Sequence, residues 1–447
     1  MNLRLTYRDL VTDLASGIKP REAWRIGVEH EALLFDRQTG LRLDYERGIK
    51  PLLQALQLKG WAPVEEQGYL IALQKGSANI TLEPGGQIEL SGAPLPTLHD
   101  VRDELLAYFN DLLPAVDALG AALIPLGLDP MTPYEERPWM PKGRYKIMQD
   151  YMPTVGRHGL DMMTATCTIQ VNLDFDSEED MVRKLRVSLA LQPIAIALFA
   201  ASPFFEGRVT PYASYRAHIW EHTDPARCGL VPFAFDPGMG FARYVDYLLS
   251  IPMYFVYRDG TYHDVAGASF ADFMAGRLTQ MPGEYALARD WQDQQTIAFP
   301  QTRLKHYLEL RAADMGPPSH ILALPAFWVG LLYDDANLQA LDQMIAPWSV
   351  DEIEAFYEDA AKFGLQGQFR GRSIHAWAED WVRLSSAGLQ RRGHDEQRYL
   401  APLTQILVSG LSVADQLKFE FPDLPSHWRP FLQSMAMKAE DLQQILG

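Results

Sequence analysis

Cysteine is nearly absent from this 447-residue chain: Cys167 and Cys228 cannot build a multi-bridge framework, and so low a count suits a reducing compartment. Long apolar runs are missing too. The greasiest stretch, 188–202, falls short of the roughly 20 residues a membrane-spanning helix needs and is interrupted by Gln192 and Pro193, so it reads as a kinked core helix. The first residues, M-N-L-R-L-T-Y-R-D-L, contain no continuous apolar segment; neither a secretory signal nor a transit peptide is evident, and a cytoplasmic protein without a membrane partner is expected. Basic residues are in deficit. With 40 Lys and Arg against 57 Asp and Glu, the net charge of −17 excludes general binding to nucleic acid, so any phosphate must meet a focused cluster of cations. Several signatures are also missing. There is no G-x-x-x-x-G-K-[ST], E-P-G-G-Q (83–87) is not a dinucleotide fingerprint, and His30-Glu31 lacks the second histidine of H-E-x-x-H because Leu34 stands there. No Ser or Cys occupies a nucleophile elbow or protease signature.

What is present is a set of four segments, 25–34, 80–92, 164–175 and 304–314, in which polar and apolar residues alternate with the side-chain period of a strand. Glu29 and Glu31 share one face, as do Gln87 and Glu89, then Thr166, Thr168, Gln170, Asn172 and Asp174, then Tyr307, Glu309 and Arg311. The alternate positions are largely apolar, and Cys167 falls among them, as a buried structural thiol would. A solvent-facing sheet produces the same alternation in any one segment. Four segments rich in carboxylates and carboxamides point instead to one site, because crowded carboxylates repel unless cations lie between them, and hard oxygen ligands suit Mg2+.

Helical spacing marks 6–18, 98–119, 180–201, 324–345 and 351–363, and amphipathic patterns dominate from about 350 to 447. No regular strand–helix alternation is seen, so the expected fold is α+β with a mainly antiparallel sheet, and no internal domain boundary emerges across 1–447. Lys142, Arg144, Arg216, Arg227 and Arg311 are the cations available to complement the acids. Arg311 shares a face with Glu309, where a guanidinium can meet phosphate oxygens. Acids, a metal and arginines converging on one cavity describe phosphoryl transfer better than hydrolysis at a histidine-rich metal site.

W-R-I-G-V-E-H-E, L-E-P-G-G-Q-I-E-L-S-G, M-P-K-G-R-Y-K-I-M, T-C-T-I-Q-V-N-L-D-F, Y-L-E-L-R-A-A-D and L-P-A-F-W-V-G-L-L-Y-D-D, in this order, closely resemble the glutamate–cysteine ligases of the plant and proteobacterial type. The resemblance runs from about 6 to about 410. It implies a curved antiparallel sheet forming a bowl wrapped by helices, with an active-site sheet like that of glutamine synthetase. It also implies ATP-dependent joining of the glutamate γ-carboxyl to the amine of cysteine, the first step of glutathione synthesis, with Mg2+ as cofactor. Carried over by position, Glu29, Glu31, Glu83, Glu89 and Glu309 match metal ligands, and Gln170 and Asn172 fall on a strand near the nucleotide. Lys142 and Arg144 join them as phosphate-binding candidates. Arg216 resembles an arginine that reaches substrate carboxylate or phosphate, and Arg311 one beside the transferred phosphoryl group. Arg227, Tyr254 and Tyr257 are candidates for the substrate pocket, the two tyrosines being equally compatible with the core. The expected partners are small molecules, namely glutamate, cysteine and ATP, and the expected state is a monomer or weak homodimer. The regulatory cysteines of the plant enzymes are replaced here by Arg102, Gln280 and Leu322, so their redox switch is missing. A γ-glutamyl ligase with another amine acceptor, or a non-catalytic binding protein on the same scaffold, would share most of these features.

Overall fold

Alternation along the chain becomes one open antiparallel sheet in the computed structural model, which describes residues 4–443. Its strands are β1 (Ile26–Asp36), β2 (Ala62–Glu66), β3 (Tyr69–Lys75), β4 (Ala78–Leu82), β5 (Ile88–Ser91), β6 (Ala121–Ile124), β7 (Thr168–Leu173), β8 (Thr302–Leu304) and β9 (Leu308–Asp314). The order across the sheet is β8-β9-β7-β1-β5-β4-β3-β2, with β6 added along the far end of β1, and the sheet does not close into a barrel. Four chemistry-bearing strands, β9, β7, β1 and β5, are therefore neighbours although nearly 300 residues separate the first from the last.

Helices α1 (Tyr7–Ala15), α2 (Leu98–Ala118), α3 (Gly143–Tyr151), α4 (Gly159–Ala165), α5 (Glu178–Leu198), α6 (Tyr215–Glu221), α7 (Pro318–Leu332), α8 (Asp335–Ile345), α9 (Val350–Phe363) and α10 (Ile374–Arg392) wrap it. Capping fixes where several begin. Thr97 and Asp100 form a reciprocal capping box at α2, and Ser349 and Glu352 form another at α9. Val28, His30 and Leu34 turn one face of β1 into the core, where the His30 ring packs on Tyr108 and Phe109 of α2. Glu29 and Glu31 necessarily point the other way.

Three expectations need correction. The single helix expected over 324–345 is two, because the Asp334 carboxylate accepts the backbone N–H of Asn337 at 2.9 Å and starts α8 afresh. In the segment 164–175 the strand begins only at Thr168; residues 164 and 165 end α4, and the Thr166 hydroxyl donates back to the Met162 carbonyl at 2.7 Å. Asp174 leaves the polar face as well, binding Lys19 Nζ at 2.6 Å and the Arg25 amide at 2.7 Å.

One irregularity matters for the site. The β9–β7 register shifts between Leu310 and Ala313, so that Arg311 and Ala312 bulge where Gln170 faces them. A bulge re-aims side chains and leaves backbone groups unpaired. The Arg216 guanidinium meets that need, donating to the Arg311 carbonyl at 2.9 Å and the Ala312 carbonyl at 3.1 Å.

Candidate functional site: a buried acid cluster facing arginines

Register places Glu31 directly opposite Glu89, and Glu29 between Ser91 and Gln170. Like charges facing each other across a strand pair are destabilising without a counter-charge. Glu83 joins them from the turn between β4 and β5. That turn is built for close approach: Gly86 has φ 77°, and a Cβ on Gly85 would stand 2.2 Å from the Thr164 carbonyl oxygen of α4. Glu29, Glu31, Glu83, Glu89 and Gln170 thus line one cavity, with Arg303 and Arg311 on its β8–β9 side, Arg144 near Glu83, and Trp220, Phe255 and Phe299 forming the apolar wall. A wider groove of about 790 Å³, between Leu113, Val116, Leu432 and Met437, touches none of these acids.

Electrostatics divide the cavity. Burial, with Glu309 and Glu89 near, pushes Glu29 up to about 7. Burial, then Glu83 and Glu89, pushes Glu31 well above the carboxylate range, and burial with Glu83 raises Glu89. On the other side burial also works against the Glu309 carboxylate, but Arg303, Lys305 and Arg311 outweigh it and hold the group well below the usual range. Arg303 Nε is 2.5 Å from Glu309 Oε2, Arg311 Nη1 is 3.0 Å from it, and Lys305 Nζ is 3.5 Å from Oε1. Arg311 also donates to Gln170 Oε1.

Other candidates are placed differently from the sequence reading. Glu309 is an anchor for three cations and does not line the cavity among the four other acids. Asn172 stands behind Glu29, donating to its Oε1 at 2.7 Å. Lys142 donates to the Leu82 carbonyl at 2.8 Å; burial and Arg144 lower it to about 8, whereas Arg144 itself reaches the cavity. Arg216 gives Nη1 and Nη2 to the bulge carbonyls and does not line the cavity, while its buried Nε has no partner. Arg227 is fully buried, 2.5 Å from Asp224, and lies over the Tyr254 ring at 4.0 Å. Tyr254 is core, its hydroxyl against Met152 Sδ, and Tyr257 packs on Tyr262 in a short hairpin. None of these three lines the acid cavity.

Arg303 and Lys305 were missed by the sequence reading, although T-R-L-K (302–305) alternates with the same period that revealed Glu309. Trp220, Phe255 and Phe299 carried no such signal, since nothing in a lone aromatic distinguishes a cavity wall from core.

The donor set fits a hard divalent cation. Burial first and neighbouring carboxylates second raise Glu29, Glu31 and Glu89, and a cation of the Mg2+ type offsets both with oxygen ligands alone.

An open antiparallel sheet that gathers buried carboxylates and guanidinium groups into one cavity defines an enzyme that handles anionic substrates. The sequence model of Glutamate-cysteine ligase family 2 (GCS2) matches residues 25–437, and the chain belongs to that family. It is 47% identical over 414 residues to the chloroplastic glutamate–cysteine ligase A of Oryza sativa subsp. japonica, covering 92% of this chain and 84% of that protein. With the chloroplastic enzyme of Arabidopsis thaliana it shares 46% over 413 residues, 92% and 79% of the two chains. In fold it is similar to a glutamate–cysteine ligase from Francisella tularensis solved in complex with AMP, with a TM-score of 0.58 at 13% identity, covering 96% of this chain and 90% of that one. The expected cytoplasmic location is contradicted by these relatives, whose names place them in chloroplasts. No helix among the described residues is long and apolar enough to cross a membrane.

Proposed function

We propose that this chain joins the γ-carboxyl of glutamate to the amine of cysteine at the cost of ATP, by way of γ-glutamyl phosphate, and so makes γ-glutamylcysteine. The observation that carries this reading is the division of the cavity into an acid half and a guanidinium half. Glu29, Glu31, Glu83 and Glu89 would hold Mg2+, which when bound neutralises charge between carboxylates and nucleotide phosphates. Arg311, with its head fixed by Glu309 and Gln170, is aimed to stabilise the phosphoryl group as it transfers to the glutamate carboxylate. Arg144 and Arg303 bind further phosphate or carboxylate oxygens. Trp220, Phe255 and Phe299 exclude water, so that the acyl phosphate survives until the amine attacks it. Glu309 acts as a positioning residue, because its three cations leave it little capacity to ligate metal. Only small molecules are required as partners, and we read the chain as one ligase domain working as a monomer or weak homodimer.

The test is a product assay with ATP, Mg2+, glutamate and cysteine, omitting each in turn. ADP, phosphate and γ-glutamylcysteine should appear in equal amounts only in the complete mixture. Stoichiometric AMP and pyrophosphate would overturn the acyl-phosphate route, and equal turnover with non-thiol amino acids would overturn cysteine as the acceptor.

A further inference from the structure

Helix α6 ends on H-I-W-E-H (218–222), and the reaction uses neither its histidines nor its glutamate. His218, Glu221 and His222 each offer one ligand atom, and the three atoms lie within 4.8 Å of one another. The two imidazoles are four residues apart with ring centroids 4.3 Å apart, the spacing at which one helical turn brings two side chains to the same point. Their orientation is already set. His222 Nδ1 lies 2.9 Å from the His218 carbonyl oxygen, so Nδ1 carries the proton and the Nε2 lone pair is left for a ligand. Tyr212 stacks on the His218 ring at 4.4 Å and limits its rotation.

The surroundings complete the case. Glu354 and Glu358 of α9 act on Glu221 as neighbouring negative charges, which favours a cation there; Arg157, near His218, opposes it. His158 stands beside the pair, with ring centroids 5.7 Å from His218 and 6.4 Å from His222. Its Nδ1 is 2.8 Å from Asp161, which is itself paired with Arg137 at 2.7 Å, so its Nε2 is also turned outward from its own bond.

We propose that His218, Glu221 and His222 bind a divalent transition-metal ion of the Zn2+ class, at a site distinct from the Mg2+ cavity. Two imidazoles and one carboxylate are the donors such an ion prefers, whereas Mg2+ favours oxygen alone. Three protein ligands leave one position open beside His158. The site lies on the helix that also sends Trp220 into the cavity wall and Arg216 beneath the β9 bulge, so a bound ion tethers both.

The experiment titrates the full-length, chelator-stripped protein with ZnCl2 alone by calorimetry, with Mg2+ in excess to satisfy the acid cavity. One equivalent of Zn2+ should bind, Co2+ in its place should give visible d–d absorption, and Zn2+ should raise the melting temperature. Each of His218→Gln, His222→Gln and Glu221→Gln should weaken Zn2+ by about 10-fold or more. Glu221→Gln keeps the size of the side chain and carries the test if the histidine variants are unstable without metal. Absence of the high-affinity equivalent in the parent, or its persistence with unchanged affinity in a His218→Gln, His222→Gln double variant, overturns the proposal.

Discussion

Arg303 and Glu309 are register partners on β8 and β9, and their side chains meet at 2.5 Å with almost no exposure to solvent. Arg303 Nη1 also caps the Thr296 carbonyl at 2.8 Å and the Ala298 carbonyl at 3.0 Å. The pair therefore joins the sheet edge to the loop that leads into Phe299, and fixes the cationic wall through Glu309.

Removing one partner of a buried pair typically costs about 3–5 kcal/mol, an upper bound here because Lys305 and Arg311 stay on Glu309. Arg303→Gln should lower stability by an amount of that order in urea unfolding, with activity falling as Glu309 pulls on Arg311. Stability within about 0.5 kcal/mol of the parent would show that Lys305 and Arg311 suffice.

The acid half behaves in the opposite sense. Glu29→Gln and Glu31→Gln should each reduce turnover by about 100-fold or more, as loss of one preorganised electrostatic contact does, while the protein still folds. Near-normal turnover of Glu31→Gln would remove it from the site.

Proton linkage gives a separate check on Glu29. Its folded value is raised to about 7, so the folded protein binds more protons than the unfolded chain, and this contribution is complete below the ordinary carboxylate value and lost as pH rises through 7. Without metal, the melting temperature of the parent should fall more steeply between pH 5 and 8 than that of Glu29→Gln. Glu309, held low, contributes above the ordinary value and loses its contribution only in acid, so it does not mask the effect. Parallel curves for parent and variant would refute the assignment.

Arg216 offers a test of positioning. Lysine at this site keeps the charge but cannot span the Arg311 and Ala312 carbonyls in the same fork geometry. Arg216→Lys should lower kcat with little change in the KM for glutamate, because the bulge that aims Arg311 loosens while the acid half is untouched. A change confined to KM would instead put Arg216 in contact with substrate.

Neither thiol is equipped for a redox switch. Burial raises Cys167 well above its usual range and Cys228 to about 12, so both stay protonated at neutral pH and react poorly. Activity assayed with a thiol-free acceptor should not respond to mild oxidants, and Cys167→Ser, Cys228→Ser should match the parent across the redox range. A reversible response confined to the parent would reveal a switch of the chain's own.

Period-2 alternation alone groups Glu29, Glu31, Glu89, Gln170 and Arg311, because a strand buried on one face leaves no choice about which way its alternates point. The same rule applied to 302–305 exposes Arg303 and Lys305. It says nothing of Arg216 and Arg227, which lie outside those strands. A guanidinium that reaches a cavity and one that caps carbonyls or pairs with a buried aspartate look alike in sequence, and the bulge that recruits Arg216 arises only when β9 meets β7. The break before α8 was readable as an aspartate at an N-cap; the apolar run through Leu332 hid it.

The outer rim of the sheet has a consequence for how copies of the chain meet in solution. β2 exposes Pro63, which has no amide proton to offer, along with Val64 and Glu65, and its pairing with β3 is interrupted between Val64 and Glu65. At the other rim Gln192 of α5 donates to the Gln301 carbonyl at 2.9 Å and the Thr302 hydroxyl at 3.2 Å, at the start of β8. A missing donor, a repelling charge and a twist are the features that stop a neighbour from adding its own strand. Both rims of the sheet therefore disfavour extension by a neighbouring strand, the first step toward fibrous aggregates.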